Sequence, residues 1–324
     1  MKKNVIIISA FILSFVVFSV ISGFFGKNYL EKAHIEPPKK EDPLPVEIPD
    51  SKTITLLHNG VVSEIGMTKY LIGVVAAEMP GNFEPEALKA QAVAARTYTL
   101  RKEKYGNDKH PDAVVCSDFN HCKAYISEED MKNKGEDWMR DFYNKIVSSV
   151  TETDGEIITY ENEPISAVFF STSSGMTENA KDVWGGDVPY LVSVRSDGDE
   201  ESPRYTDEVS FEFFEFQNKI NGSAQVTFSQ NPDEWITNVI RNESGSVNSV
   251  DICGITFKGT DIRTLLGIRS TNFEFEVTDK IIVKTRGFGH GVGMSQWGAN
   301  YMAKMGYDHK DILKKYYTGT NVVR

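Results

Sequence analysis

The chain has 324 residues, 40% of them hydrophobic and 25% charged, which is the composition of an ordinary globular protein with room for a sizeable core. Its 46 acidic residues outnumber 35 basic ones, for a formal net charge of -11. That balance argues against a nucleic-acid partner, because phosphate backbones are held mainly by Lys and Arg. It leaves sugar polymers open, since they are recognised through hydrogen bonds and aromatic stacking.

Lys2 and Lys3 precede an uncharged, strongly apolar run from Val5 to Phe25. About 20 apolar residues cross a bilayer as a helix, and the lysines favour the cytoplasmic side. The expectation is a cytoplasmic tip (1–4), a single-pass transmembrane anchor (5–26) and an extracytoplasmic remainder at the cell membrane. A cleaved signal peptide competes, but the run is long for one and no small-x-small site follows it. Residues 27–51 hold Pro37, Pro38, Pro43, Pro45 and Pro49 among charges and read as a semi-rigid tether. The folded domain then spans 52–324.

Thr53–Leu57 and Val61–Ile65 flank Asn59–Gly60, a hairpin signal. Thr68 reads as the N-cap of a helix over 69–79, stopped by Pro80–Gly81. Pro85 suits the first position of a second helix running to about Lys102. Residues 105–126 are irregular. A third helix is expected over 137–150, and Ile157–Tyr160 and Ile165–Phe170 read as paired strands. The stretch from about 203 to 267 carries strands at 236–240 and 247–252 and a short helix at 261–266, and is expected to be an inserted subdomain. Strands at 273–277 and 281–285 pair next, and helices follow near 295–305 and 309–317. Helices and strands do not alternate regularly, so the expected class is α+β, a mixed helix/sheet core behind the anchor.

Glu78 is the most informative residue. Leu71, Val74, Val75 and Glu78 fall on one helical stripe that is otherwise apolar. Burial and the negative end of the helix dipole both raise a carboxyl pKa, as a general acid needs near neutral pH. A Glu that reaches solvent or pairs with a lysine is the plain alternative. Lys89 and Arg96 share a stripe of the second helix beside the small-residue face of Leu88, Ala92, Ala95 and Thr99. In a helical hairpin they could border Glu78; otherwise they are a solvated basic face. Phe170-Ser171-Thr172-Ser173-Ser174-Gly175 offers hydroxyls to a sugar, or is a plain turn. Gly287 to Gly298 alternates glycines around His290 ahead of a helix N-terminus, without the Lys-Ser/Thr ending of a phosphate loop.

The three cysteines are too few for a disulfide framework. Cys253, among Val250, Ile252 and Ile255, reads as a buried free thiol. His110, Cys116, His121 and Cys122 match the donor set of a tetrahedral zinc site, although His121 and Cys122 are neighbours that must turn toward one ion. A Cys116–Cys122 disulfide or two free thiols are the alternatives.

Together these segments resemble the stage II sporulation protein D family. The resemblance rests on Val74-Val75-Ala76-Ala77-Glu78-Met79-Pro80, on Glu86 through Tyr98, on Phe170 through Gly175, and on the His290 loop through Gln296-Trp297-Gly298-Ala299. It covers about Thr53 to the C-terminus. It implies a peptidoglycan lytic transglycosylase, a lyase that cleaves the MurNAc–GlcNAc bond of stem-peptide-free glycan strands to 1,6-anhydro ends during forespore engulfment. It puts the catalytic acid at Glu78 and a functionally important basic pair at Lys89 and Arg96. The candidate substrate-binding residues are then Lys89, Arg96, Ser171, Ser173, Ser174, His290 and Gln296. Some members carry a His/Cys zinc site, which would map onto His110, Cys116, His121 and Cys122 as a structural ion. The implied partners are stage II sporulation proteins P, an amidase, and M, a membrane protein. A lone carboxyl suffices for this reaction, because the muramoyl C6 hydroxyl replaces the water or nucleophile for which other glycosidases need a second carboxylate. Three rivals stand beside it. A zinc-dependent wall amidase lacks a His-Glu zinc motif. A Ser-His hydrolase built from Ser171–Ser174 and His290 lacks the nucleophile elbow. A non-catalytic glycan-binding scaffold would not turn over.

Overall fold

A computed structural model describes residues 52–324. The expected tip (1–4), anchor (5–26) and tether (27–51) lie outside the described residues. Among the described residues no helix is long and apolar enough to cross a membrane. The fold mixes helices and strands without a regular alternation, consistent with the α+β class.

Asn59 and Gly60 both take positive φ, 50° and 79°, as a two-residue type I′ turn requires. They join β1 (Thr53–His58) to β2 (Val61–Gly66), with Thr53 opposite Gly66 and His58 opposite Val61. β2 runs straight into α1 (Met67–Glu78). No free residue is left to cap that helix, so Thr68 lies inside it and is buried, and no side chain fills the N-cap position at Gly66. The Met67 N–H bonds the Lys52 carbonyl instead, at 2.7 Å. α2 (Pro85–Tyr105) opens on proline and is lined by Ala87, Ala90, Ala92, Ala94 and Ala95, all buried. Such small side chains let other helices approach closely. After β3 (Val115–Cys116) and α3 (Glu128–Lys132), the expected third helix arrives as α4 (Glu136–Trp138), a π-helical turn (Met139–Tyr143) and α5 (Asn144–Glu152).

β4 (Ile157–Tyr160) does not pair along 165–170 as expected. Glu161 and Asn162, with φ of 51° and 64°, turn the chain into the short β5 (Glu163–Pro164). The C-terminal strand Asn321–Val323 takes the other edge of β4. Past Ile165 the chain leaves the sheet, and only β6 (Phe169–Phe170) is strand, paired in parallel with Met294–Ser295. α6 (Ala180–Trp184) follows.

A second hydrophobic cluster, around Phe211, Phe216, Trp235, Val250, Phe257, Phe273 and Val283, belongs to the middle of the chain. It is built by β7 (Thr206–Phe211), α7 (Phe213–Asn221), β8 (Ile236–Arg241), β9 (Val247–Ile252), β10 (Ile255–Lys258), α8 (Gly259–Leu266), β11 (Phe273–Val277) and β12 (Ile281–Arg286). The unit therefore runs past the expected limit at 267. β12 pairs with β7, Val283 opposite Val209, so the 273–286 hairpin completes its sheet. Cys253 sits at the β9–β10 turn with φ of 47°, partly exposed rather than buried in a strand. The chain then returns through β13 (Met294–Ser295), α9 (Gln296–Lys304), α10 (His309–Tyr316) and β14 (Asn321–Val323) to the main core, where α2 packs against α1, α5, α9 and α10.

Candidate active site and metal-donor cluster

Leu71, Val74 and Val75 are fully buried, and Glu78 ends their stripe as the last residue of α1. Its Oε1 accepts the Ala124 backbone N–H at 2.9 Å. Burial pushes its pKa above the ordinary carboxyl value; the nearby Lys123 charge, the Ala124 N–H and the Gln296 side chain pull it down without cancelling the rise. Lys123 is itself buried between two rings. Its Nζ lies 3.7 Å from the centroid of Phe169 and 4.6 Å from that of Tyr98, and burial lowers its pKa to about 8. Gln296 opens α9 and is buried; its Nε2 reaches Gln91 Oε1 of α2 at 3.5 Å.

His290 belongs to the same neighbourhood. Its Nδ1 accepts the Val292 N–H at 3.1 Å, which leaves the proton on Nε2, close to the Phe169 backbone. Burial, then the charges of Lys123 and Arg263, lower its pKa to about 3, so the ring is neutral. Phe170 and Trp184 flank it with ring centroids at 5.7 and 5.1 Å. The alternating glycines serve close packing. A Cβ on Gly293 would stand 2.2 Å from the Val168 carbonyl, and one on Gly289 2.7 Å from Phe170 Cβ. The helix end behind the loop does not wait for a ligand either, because Ser295 Oγ caps it by accepting the Gly298 N–H at 3.3 Å.

The other candidates are placed differently. Lys89 pairs with Glu86 and Glu152, both at 2.8 Å. Arg96 is buried and donates to the backbone carbonyls of Val150 (3.1 Å) and Glu156 (3.2 Å). These partners lie on α2 itself, on α5 and just before β4. Gln91, the α2 side chain that reaches the Glu78 neighbourhood, is two residues past Lys89 and so about 200° round the helix. The expected border with Glu78 is therefore not formed. Ser173 is buried, its N–H donating to Asp199 Oδ1 at 2.7 Å and its hydroxyl accepting from Gly175 N–H at 3.1 Å. Asp199 also accepts the hydroxyls of Ser196 and Ser295, and burial raises its pKa to about 6. Ser174 accepts from Asn272 at 3.1 Å. Ser171 stays partly exposed, and its carbonyl accepts the Trp297 N–H beside Gln296 at 3.1 Å.

His110, Cys116, His121 and Cys122 converge, with one donor atom of each within 4.8 Å of the others. Cys122 Sγ is 3.2 Å from His110 Nε2 and 3.7 Å from His121 Nδ1, and Cys116 Sγ is 3.4 Å from His121 Nδ1. Tetrahedral bonds of about 2.3 Å to sulfur and 2.0–2.1 Å to nitrogen put donors roughly 3.6 Å apart, so the set fits one ion. The Asp118 carbonyl accepts the N–H groups of both His121 (3.1 Å) and Cys122 (2.8 Å), a tight turn that brings the two neighbours to one point. His110 Nδ1 donates to the Ala113 carbonyl at 2.8 Å, which puts the ring's lone pair on Nε2, where the Asn107 Nδ2 at 2.7 Å is the partner that an ion would displace.

Sequence reasoning missed Lys123, the Ala124 N–H and Gln91. Gln91 carried a signal, a large polar residue within the alanine run of α2. Lys123 and Ala124 carried none, since only tertiary packing brings them to Glu78.

A protein-family model described as "Stage II sporulation protein" matches residues 58–160. The chain is similar to stage II sporulation protein D of Bacillus subtilis (strain 168), 42% identical over 286 residues that cover 86% of this chain and 79% of the relative. It is likewise similar to the protein of that name in Bacillus amyloliquefaciens, 43% identical over 292 residues, 89% and 81% of the two chains. A more distant relative is the amidase enhancer of Bacillus subtilis (strain 168), 27% identical over 302 residues, 78% of this chain and 40% of that protein.

Proposed function

The chain belongs to the stage II sporulation protein D family, and from that premise we propose that it is a membrane-anchored peptidoglycan lytic transglycosylase of sporulation, acting on stem-peptide-free glycan strands during forespore engulfment. The observation that carries the reading is the setting of Glu78, a carboxyl buried enough to hold its proton above the ordinary range yet faced by groups that favour its charged form. The reaction needs both. Protonated Glu78 donates to the oxygen joining N-acetylmuramic acid to N-acetylglucosamine. The carboxylate left behind is steadied by the Ala124 N–H, the Gln296 side chain and the Lys123 charge. It then takes the proton of the muramoyl C6 hydroxyl as that oxygen closes on the anomeric carbon, giving a 1,6-anhydro end.

Zinc held by His110, Cys116, His121 and Cys122 would order the turn that delivers Lys123 and Ala124 to Glu78. Four protein donors fill a tetrahedral shell and leave no position for a catalytic water, which favours this structural role over a zinc-dependent amidase. Residues 5–26 would hold the enzyme in the membrane with its domain outside, alongside stage II sporulation proteins P and M. The test is Glu78→Gln. Glutamine keeps the shape and loses the proton, so anhydro-muramoyl ends measured by mass spectrometry should fall about 10²–10⁴-fold while glycan binding stays. Turnover near that of the unaltered chain would remove Glu78 from the mechanism.

A further inference from the structure

A cavity of about 450 Å³ lies between α6 and the middle unit. Its floor is Glu178, buried, with its two oxygens taken by the hydroxyls of Ser246 (2.5 Å) and Ser244 (2.7 Å). One wall is Trp184, which is 52% exposed. That ring stands beside His290, His290 beside Phe170, and the adjoining Phe169 carries the Lys123 ammonium that faces Glu78. A continuous line of side chains therefore runs from the acid to the cavity.

The lining has the chemistry of a sugar site, an aromatic face with amides and carboxylates for hydroxyl groups. Asn242, Asn248 and Asp261 supply the polar groups. Two members do not fit a neutral sugar. Lys181 and Lys258 both line the cavity, are exposed, and have no ion pair among the described residues. Of the three carboxylates that line the cavity with them, Glu178 is engaged by its serines and Asp182 by Asn179 at 2.8 Å, while Asp261 is exposed and forms no ion pair with either lysine. Two free ammonium groups beside an aromatic wall suit an anionic group on the sugar. On a peptidoglycan strand that group is the lactyl carboxyl of muramic acid. It is an amide while a stem peptide is attached and a free carboxylate once the stem is removed.

We propose that this cavity is a distal saccharide subsite in which Lys181 and Lys258 pair with the free lactyl carboxylate of a stem-free muramoyl residue and so select stripped strands. The proposal rests on the reading of Glu78 as the acid that cleaves such strands. The test uses the full chain carrying Glu78→Gln, so that strands stay whole, and three probes of matched length: stem-free strands, stem-bearing strands and a chitooligosaccharide, which has no lactyl group. Adding Lys181→Ala with Lys258→Ala should weaken binding to stem-free strands roughly tenfold, as two partly exposed ion pairs would. It should abolish their advantage over stem-bearing strands and leave the chitooligosaccharide unchanged. Trp184→Ala should weaken all three. A preference that survives the double change overturns the subsite, as does an equal loss on the chitooligosaccharide. Lys181→Gln with Lys258→Gln, which preserves side-chain length, replaces the alanine pair should its melting temperature fall. Failure of the underlying reading looks different: no anhydro ends from the unaltered chain, with the lysine-dependent preference intact.

Discussion

A carboxyl that gives up a proton and takes one back in a single turnover needs its two forms close in free energy near working pH. At Glu78 burial favours the acid, and Lys123, Ala124 and Gln296 favour the carboxylate. Gln296→Leu would remove a partner of the carboxylate and none of the acid, so the Glu78 pKa should rise further. On the proposed mechanism the protonated form starts the reaction, so activity should hold below that pKa and decline as pH rises through it. The alkaline limb of the pH–rate profile should therefore move to higher pH in Gln296→Leu. The plateau should drop by roughly tenfold, part of the 10²–10⁴-fold that an acid–base group supplies. A limb that stays put or moves down would mean that Gln296 does not act on Glu78. The place of Glu78 at the end of a buried stripe was legible in the chain, because a carboxyl closing an apolar helical stripe breaks a period. Lys123 was not, because a lysine after a cysteine in an irregular loop has no period to break.

Among the elements, the turn at 118–122 joins the donor cluster to the acid. Its Asp118 carbonyl holds the N–H groups of His121 and Cys122, and the next two residues are the cation and the N–H that face Glu78. Over 105–112 and 117–121 His110 is the one buried residue, so little apolar burial fixes these two stretches, and an ion would contribute folding free energy directly. Cys116→Ala and Cys122→Ala should each lower zinc content from about one per chain and lower the melting temperature. Activity should fall further than binding, since Ala124 would no longer be held against Glu78. A metal-free protein with a Cys116–Cys122 disulfide would refute the cluster as a metal site. The donor residues and their coming together could be read from four residues of ligand type within thirteen positions. The means could not, since it is a turn whose Asx geometry, Asn120 N–H on Asp118 Oδ1 at 2.8 Å, is set locally but whose position is set by β3 lying against β1. Elements with their own period or punctuation, such as the Asn59–Gly60 hairpin and α2, were equally legible. The β4–β14 pairing was not, because it joins residues more than 150 positions apart and leaves no local mark.

At the scale of the molecule, the stripe of α2 that carries Lys89 and Arg96 faces a network tying the start of the core to its end. Glu86 of α2 accepts from His309 of α10 at 3.0 Å, His309 also meets Glu156 at 2.7 Å, and Arg324 reaches Glu156 at 3.5 Å. Arg96 lies beneath this network, buried, holding the carbonyls of Val150 and Glu156. Burial lowers its pKa to about 10, so it stays charged at neutral pH. Arg96→Ala would take its donor from the Glu156 carbonyl, leave the Val150 carbonyl with the Thr153 hydroxyl at 3.2 Å, and open a cavity, at a cost of about 2–4 kcal/mol, and should lower the melting temperature by roughly 5 °C or more. Lys89 works from the surface, where a pair contributes about 1 kcal/mol at most, so Lys89→Ala should melt nearly as the unaltered chain does. If Arg96 organises the core, activity measured well below the melting point should remain within about twofold of normal, because loss of fold rather than of a ligand contact separates the two states. A substrate-binding role predicts the reverse, an unchanged melting temperature with a raised KM. Arg96→Lys divides the cases again. It keeps the charge but lacks the planar fork that spans two carbonyls, so its melting temperature should fall between those of Arg96→Ala and the unaltered chain.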